Sequence, residues 1–367
     1  MIRVLHVVPN MDAGGLENYI MNLYRQMDRS KIQFDFLVHY GKRCFFDQEI
    51  IQMGGRIFRL TVREDHNLLK YCRQLNRFFQ EHKEYRIVHG HMSSLAIIYL
   101  GYAKAHGVPV RIIHSHNSNF SKDMKGYLKY LLSRASESNS TVRYACSTEA
   151  GNYLFNQRSF EIIPNGVDGE RFHYDWIARE QVRKGLGLND AFVVGHVGRF
   201  STQKNHAFLL KLFAAYVRRN PRARLMLVGT GELEDQIHRL ARELSVEEKI
   251  LYTGVRRDTE RMYQAMDVFV LPSLYEGLPV TGIEAQYAGL NCLFSDRISR
   301  EVHITEQACF LPIGDENVGL WADALDRHAQ EDHMNRAKRE LLTDSFDIGV
   351  AAKAMASRYQ AMWECKP

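Results

Sequence analysis

The sequence predicts an α/β protein built from two doubly wound domains. Short β-rich runs alternate with amphipathic helical stretches along nearly the whole chain, the pattern of right-handed βαβ crossovers and of parallel sheets covered on both faces. The alternation breaks once, at Pro164-Asn165-Gly166, and then restarts. The length of 367 residues exceeds one ordinary core and suits two domains of roughly 170 residues each.

The elements follow in order. Arg3–Pro9 reads as a buried strand, and residues 15–28 place Leu16, Tyr19, Ile20, Leu23, Tyr24 and Met27 on one helical face. Further strands are expected at Ile32–His39, Ile57–Val62, Ile87–His91, Val110–His114, Val142–Cys146 and Glu161–Ile163. The polar segment Val167–Tyr174 reads as an irregular linker. Strands resume at Phe192–Val197, Arg224–Val228, Ile250–Tyr252, Val268–Leu271, Cys292–Ser295 and Phe310–Ile313. A helix is expected at 348–364, with Ile348, Ala351, Met355, Tyr359 and Met362 at helical spacing. The expected division is residues 1–168 with 348–367, and residues 175–347.

Composition narrows the function. Hydrophobic content of 45% and charged content of 25% fit a globular domain protein, and no apolar run approaches the roughly 18 residues of a membrane span. The opening MIRVLHVVPNMDAGG reads as a strand rather than a signal peptide. The six scattered cysteines, with no CxxC pair, point to reduced thiols in a cytoplasm and away from a cysteine-built metal site. The net charge of +5 suits an anionic ligand, but the cations form no long stripe with interleaved aromatics, so nucleic acid is not expected as a partner.

In doubly wound sheets, ligands sit beyond the carboxyl ends of the strands, so the loops after each strand carry the information. The first loop, Pro9 to Glu17, contains Gly14-Gly15 at a strand-to-helix turn, where backbone N–H groups can approach a phosphate; taken alone, a plain tight turn is the better explanation. The spacing is not GxGxxG, which gives a nicotinamide cofactor little support. The loop Gly198-Arg199-Phe200-Ser201-Thr202-Gln203-Lys204-Asn205 brings a planar guanidinium and a compact ammonium within reach of one diphosphate. The most informative segment is Leu271 to Ala285. A strand ends near Ser273 and a helix starts near Pro279, so that the N–H groups of Leu278, Val280 and Thr281 point at an anion. Glu276 lies in the loop and Glu284 about one and a half turns into the helix. Carboxylates repel phosphate but accept hydrogen bonds from hydroxyls, so ribose and hexose hydroxyls are the expected partners.

Glu276 and Glu284 with seven residues between them, Gly198-Arg199-Phe200 before Lys204-Asn205, and Gly14-Gly15 near the start resemble the retaining glycosyltransferases of family 4, which have the GT-B fold. Val228-Gly229-Thr230-Gly231-Glu232, Tyr252-Thr253-Gly254 and Ile163 to Asp168 followed by Phe172 match that family in order, so the resemblance spans about residues 1–345. Gln286 through Gly289 and Ser295-Asp296 look most like bacterial enzymes of capsule and exopolysaccharide assembly.

The resemblance implies two facing Rossmann-like domains with the last helix crossing back to the first. It implies that Arg199 and Lys204 hold the diphosphate, that Glu284 binds ribose, and that Glu276 holds a hydroxyl of the transferred sugar beside the backbone of Gly277, Leu278, Pro279 and Val280, whose N–H groups (Pro279 excepted) surround it. Gly15 would approach the phosphate from the opposite domain, Gly229 and the loop Thr253, Gly254 and Val255 would line the base, and His116 would face the transferred sugar. The donor is expected to be a nucleotide diphosphate sugar, with uridine diphosphate as the nucleotide, and the acceptor a glycan or a lipid-linked sugar. The fixed cations are expected to stand in for a metal, so no cofactor and no divalent ion are expected. Rival readings are a nucleotide-sugar 2-epimerase and an inactive sugar-nucleotide-binding subunit.

Two clusters remain: His89-Gly90-His91 and His114-Ser115-His116-Asn117, each at the end of an expected strand. Four imidazoles could meet there around a metal, but His-x-His on a strand is read as a poor fit to zinc spacings, and packing is preferred for His89, His91 and His114. Residues 122–134 read as a basic amphipathic helix, with Lys122, Lys125, Lys129 and Arg134 suited to an anionic lipid surface, so peripheral contact with the inner face of the membrane is an expectation; packing of Leu128, Leu131 and Leu132 on the sheet competes with it.

Overall fold

The computed structural model describes residues 1–116, 131–156, 158–329, 332–343 and 345–364. The chain divides into two compact units, Met1–Gly166 with Ser345–Pro367, and Val167–Asp344. Most of the expected basic helix at 122–134 lies outside the described residues.

The first unit holds a seven-stranded sheet, β1 (Ile2–Val7), β2 (Ile32–Val38), β3 (Ile57–Arg59), β4 (Ile87–Gly90), β5 (Val110–Ser115), β6 (Val142–Ala145) and β7 (Glu161–Ile162), in the order β3-β2-β1-β4-β5-β6-β7. Every pairing in it is parallel. β2 is buried along its whole length, which is why it reads as a continuous apolar run rather than an alternation. Helix Gly15–Gln26 buries Tyr19, Ile20, Leu23 and Tyr24 as its spacing predicts. Helix Ile348–Glu364 returns to this unit, burying Ala352, Met355 and Tyr359 in its core. Its start presses so closely on Gly166 that a Cβ there would stand 2.9 Å from the Ile348 Cα, which is why the junction needs glycine.

The second unit holds β8 (Phe192–Val197), β9 (Ala223–Val228), β10 (Ile250–Gly254), β11 (Val268–Leu271), β12 (Asn291–Ser295) and β13 (Ala308–Leu311), ordered β10-β9-β8-β11-β12-β13 and again parallel. Its core gathers Leu209, Phe213, Leu225, Val268, Leu293 and Trp321. Val167–Tyr174 is not the irregular linker expected. Asp168 caps a short helix, Gly169–Phe172, by accepting from the Arg171 N–H at 3.2 Å, and Phe172 packs edge-on against Tyr263. The polar residues around them hid two buried aromatic anchors, Phe172 and Tyr174.

Buried Arg336 fixes the helices behind the site. Its guanidinium donates to the carbonyls of Tyr263 (3.1 Å), Met266 (2.9 Å) and Ala288 (2.7 Å), at the ends of helices Thr259–Ala265 and Val280–Tyr287. Burial, the largest influence, lowers its pKa to about 9. Arg336→Met should strand these carbonyls and lower unfolding stability by at least about 3 kcal/mol, measured by urea denaturation of the whole chain.

Candidate functional site

β8 and β11 pair directly, yet their onward connections lead to opposite sides of the sheet, to β9 and to β12. That junction is the topological switch point, where loops splay and leave a crevice. Lys204 stands in the loop after β8 and Glu276 in the loop after β11. Residues Thr202–Lys204 form a single 3₁₀ turn, ended by Asn205 in the left-handed conformation (φ 54°). The Asn205 side-chain amide donates to the Pro272 carbonyl at 3.1 Å, and the Leu274 N–H donates to the Gln203 carbonyl at 2.8 Å, so the two loops are stitched together.

Within this frame both oxygens of Glu276 are held. Gln203 donates to Oε2 at 3.0 Å and to the Tyr275 carbonyl at 2.9 Å. The Lys204 ammonium lies 2.7 Å from Oε1, misaligned for a directed hydrogen bond, so this contact is ionic. The two side chains are only 14% and 11% exposed, so the attraction is little screened by water. Beyond Pro279, helix Val280–Tyr287 presents its first N–H groups without carbonyl partners inside the helix. The Ser273 and Thr281 hydroxyls are buried there without a hydrogen-bond partner among the described residues. Gly277 follows Glu276 half-buried, while Leu278 and Val280 are buried against the core.

Glu284 is buried one turn further on, where it accepts from the Tyr263 hydroxyl at 2.8 Å. Burial raises its pKa from 4.5 to about 7, against the opposing influence of the Tyr263 hydrogen bond and of Arg171. Arg199 behaves differently from Lys204. Its side chain is 74% exposed and pairs with Glu232 at 2.9 Å, so the two cations expected to converge engage separate carboxylates.

The loops expected around a base do meet. The Gly229 N–H donates to the Gly254 carbonyl at 2.9 Å, beside Thr253, while Val255 is exposed. Gly229 has φ 129°, and a Cβ on it would lie 2.3 Å from the Gly198 carbonyl oxygen, so glycine is required twice over. Sequence reasoning missed Gln203 and Tyr263, because nothing local to either residue marks its distant carboxylate.

In the first unit, Gly15 opens helix Gly15–Gln26, with nothing within 4 Å of where its Cβ would stand. His116 lies just past β5, half-buried and 2.9 Å from His91 (Nε2 to Nδ1). The expected four imidazoles are five. His6 joins through Nδ1 to His91 Nε2 (3.0 Å), and His89 bonds His114 (3.1 Å) and the Tyr359 hydroxyl (2.7 Å). The rings meet because residues i and i+2 of a strand share a face, and adjacent parallel strands bring two such pairs together. Burial above all holds all five far toward the neutral form, His6 and His116 at about 3.

Two parallel doubly wound units, one with a cation–carboxylate pair at its switch point, are the architecture of GT-B enzymes. The model of Glycosyltransferase Family 4 matches residues 13–171 and that of Glycosyl transferases group 1 matches residues 178–340. EpsF of Bacillus subtilis (strain 168) is 37% identical over 352 residues, covering 94% of this chain and 91% of its own. The UDP-Gal:alpha-D-GlcNAc-diphosphoundecaprenol alpha-1,3-galactosyltransferase of Escherichia coli is 29% identical over 250 residues, 64% of this chain and 65% of that one. Anabaena HepE, solved in complex with UDP-glucose, is similar in fold, with a TM-score of 0.77 over 99% of both chains at 16% identity. The chain belongs to the family 4 glycosyltransferases. No helix among the described residues is long and apolar enough to cross a membrane.

The Glu284 carboxyl carries a pH signature. Because its folded pKa lies above 4.5, its contribution to stability is complete below pH 4.5 and is lost as pH rises through about 7. Relative to Glu284→Gln, the wild type should therefore lose on the order of 3 kcal/mol across that window, measured by urea denaturation at several pH values.

Proposed function

We propose that this glycosyltransferase moves a hexose or N-acetylhexosamine from a uridine diphosphate sugar to a hydroxyl of a glycan or lipid-linked acceptor, with retention at the anomeric carbon, in cell-surface polysaccharide assembly. The observation that carries the reading is Glu276, held at both oxygens by Lys204 and Gln203 beside the start of helix Val280–Tyr287. The E. coli relative is named for a uridine diphosphate galactose donor and a diphosphoundecaprenol-linked acceptor, and HepE was solved with UDP-glucose, which support the donor and acceptor classes.

The chemistry follows from charge. Breaking the bond from the anomeric carbon to the phosphate oxygen leaves its electron pair, and so negative charge, on the departing diphosphate. Lys204 and the helix N–H groups supply fixed positive potential for that charge, joined by Arg199 when it leaves its exposed pair with Glu232, in place of a divalent ion. Glu276 accepts a hydrogen bond from a donor-sugar hydroxyl; its cationic partner and its amide partner suit it to positioning rather than to attack on carbon. The acceptor hydroxyl enters on the face the phosphate leaves, and its proton passes to the phosphate, so configuration is retained without a covalent enzyme intermediate. Glu284 takes the ribose hydroxyls, and the backbone at Gly229 and Thr253 to Val255 takes the base. Gly15 and His116 belong to the acceptor-side unit, with the protein working in the cytoplasm at the inner face of the membrane.

Glu276→Ala should lower transfer at least about 100-fold while uridine diphosphate affinity stays within a few-fold, read by product formation and by calorimetry. Arg199→Ala combined with Lys204→Ala should weaken uridine diphosphate itself by roughly 1.5–3 kcal/mol. Transfer should persist in excess EDTA; a loss restored by a divalent ion would count against the metal-free mechanism. Consumption of donor with no acceptor present, yielding an epimer, would sink the transferase reading.

A further inference from the structure

The histidines of the first unit form two hydrogen-bonded strings. One runs from the Tyr359 hydroxyl through His89 to His114, the other from His6 through His91 to His116. A neutral imidazole has one donor and one acceptor nitrogen. Three ring nitrogens in these strings, His6 Nε2, His114 Nε2 and His116 Nδ1, are buried with no partner among the described residues. An unpartnered buried polar atom is costly, and an ion bound at His114 Nε2 would supply that nitrogen with a partner.

We propose that His91, His114 and His116 form a binding site for one divalent transition-metal ion of the Zn²⁺ class. One ring nitrogen from each of the three lies within 4.8 Å of the others. The His91–His116 nitrogens, now 2.9 Å apart, need only open to roughly 3.3 Å, the edge of a tetrahedron with bonds of about 2.0–2.1 Å. The remaining rings already stand where supports for metal-bound histidines stand. His114, binding through Nε2, donates its Nδ1–H to His89, which in turn donates to the Tyr359 hydroxyl. His91, binding through Nδ1, donates its Nε2–H to His6. A set of imidazoles without thiolates or carboxylates selects ions such as Zn²⁺, Co²⁺ or Ni²⁺ over Mg²⁺ or Ca²⁺.

A second triad, His6, His89 and His91, also lies within 4.8 Å. It is fully buried, whereas the first triad includes the half-buried His116 and so lies nearer to solvent. The ion would tie together the carboxyl ends of β4 and β5. The site shares His116 with the sugar-transfer reading, but its readout is bound metal rather than transfer, so failure of one is distinguishable from failure of the other.

The test uses the full chain without a polyhistidine tag, stripped with chelator and passed through a desalting column. Titration with Zn²⁺ should give one equivalent bound, with a raised melting temperature, and Co²⁺ should give the intense visible absorption of a tetrahedral site. His116→Ala and His114→Asn should each weaken Zn²⁺ at least tenfold, and Tyr359→Phe roughly tenfold through the lost support of His89. His303→Ala, an exposed histidine elsewhere, should bind as wild type. Circular dichroism of the stripped variants checks their folding; His116→Ala and Tyr359→Phe, the milder changes, decide the matter if His114→Asn does not fold. Wild type that takes up no Zn²⁺, or a folded His116→Ala that binds it as tightly as wild type, overturns the proposal.

Discussion

The second unit's carboxyl edge depends on one contact, the Lys204 ammonium against the Glu276 carboxylate. Both groups are largely withdrawn from water, so each would be left as an uncompensated charge without the other. The pair therefore does more than attract. It fixes two loops that leave adjacent strands in opposite directions, at the point where the sheet would otherwise open. The glycines nearby follow from the same constraint. The Lys204 stem passes over Gly198, where a Cβ would stand 3.1 Å from Cε, and the Gly198 carbonyl in turn presses against Gly229. The loop after β9 reaches its position because two successive residues along this line have no side chain.

The first unit meets the equivalent situation at its own switch point, between β1 and β4, with different chemistry. There the strand ends carry histidines rather than opposite charges, and burial keeps them neutral. Neutral rings need no counter-charge, but they need partners in line. The two strings supply partners for most ring nitrogens and leave three without. One unit thus stabilises a polar strand edge by a largely buried ion pair, the other by hydrogen bonds between neutral rings.

The strands were legible in the sequence because parallel strands buried on both faces read as apolar runs whatever lies around them; β8, Phe192–Val197, and β11, Val268–Leu271, coincide with their expected bounds. The loops were legible because glycine, proline and charge cluster only where strands end. What was not legible is partnership across the chain. Gln203 reaches Glu276 over 73 positions, and His89 reaches Tyr359 over 270, and no local composition marks either member. The short helix at Gly169–Phe172 was missed for a related reason. Its stability comes from an aspartate cap and from Phe172 against Tyr263, a contact that exists only once the unit is folded. The meeting of His89, His91, His114 and His116 was legible from two strand ends, but the fifth ring, His6, was not, because its place in the cluster depends on β1 lying in register beside β4.

The two glutamates of the same segment illustrate how neighbours divide labour between identical side chains. Glu276 faces a full positive charge and an amide, in a loop whose backbone is tied down on both sides. Glu284 has a neutral phenol as its hydrogen-bond partner and lies in a dry setting that favours the uncharged carboxyl. A group near 7 is poised to accept hydrogen bonds as a carboxylate when a polar ligand approaches, at modest cost, and to rest uncharged otherwise. Helix Val280–Tyr287 gives this difference its direction, since its positive end lies toward Glu276 while Glu284 sits past its first turn. The residue spacing therefore sorts the two carboxylates into one that stays with a cation and one whose charge answers to its surroundings.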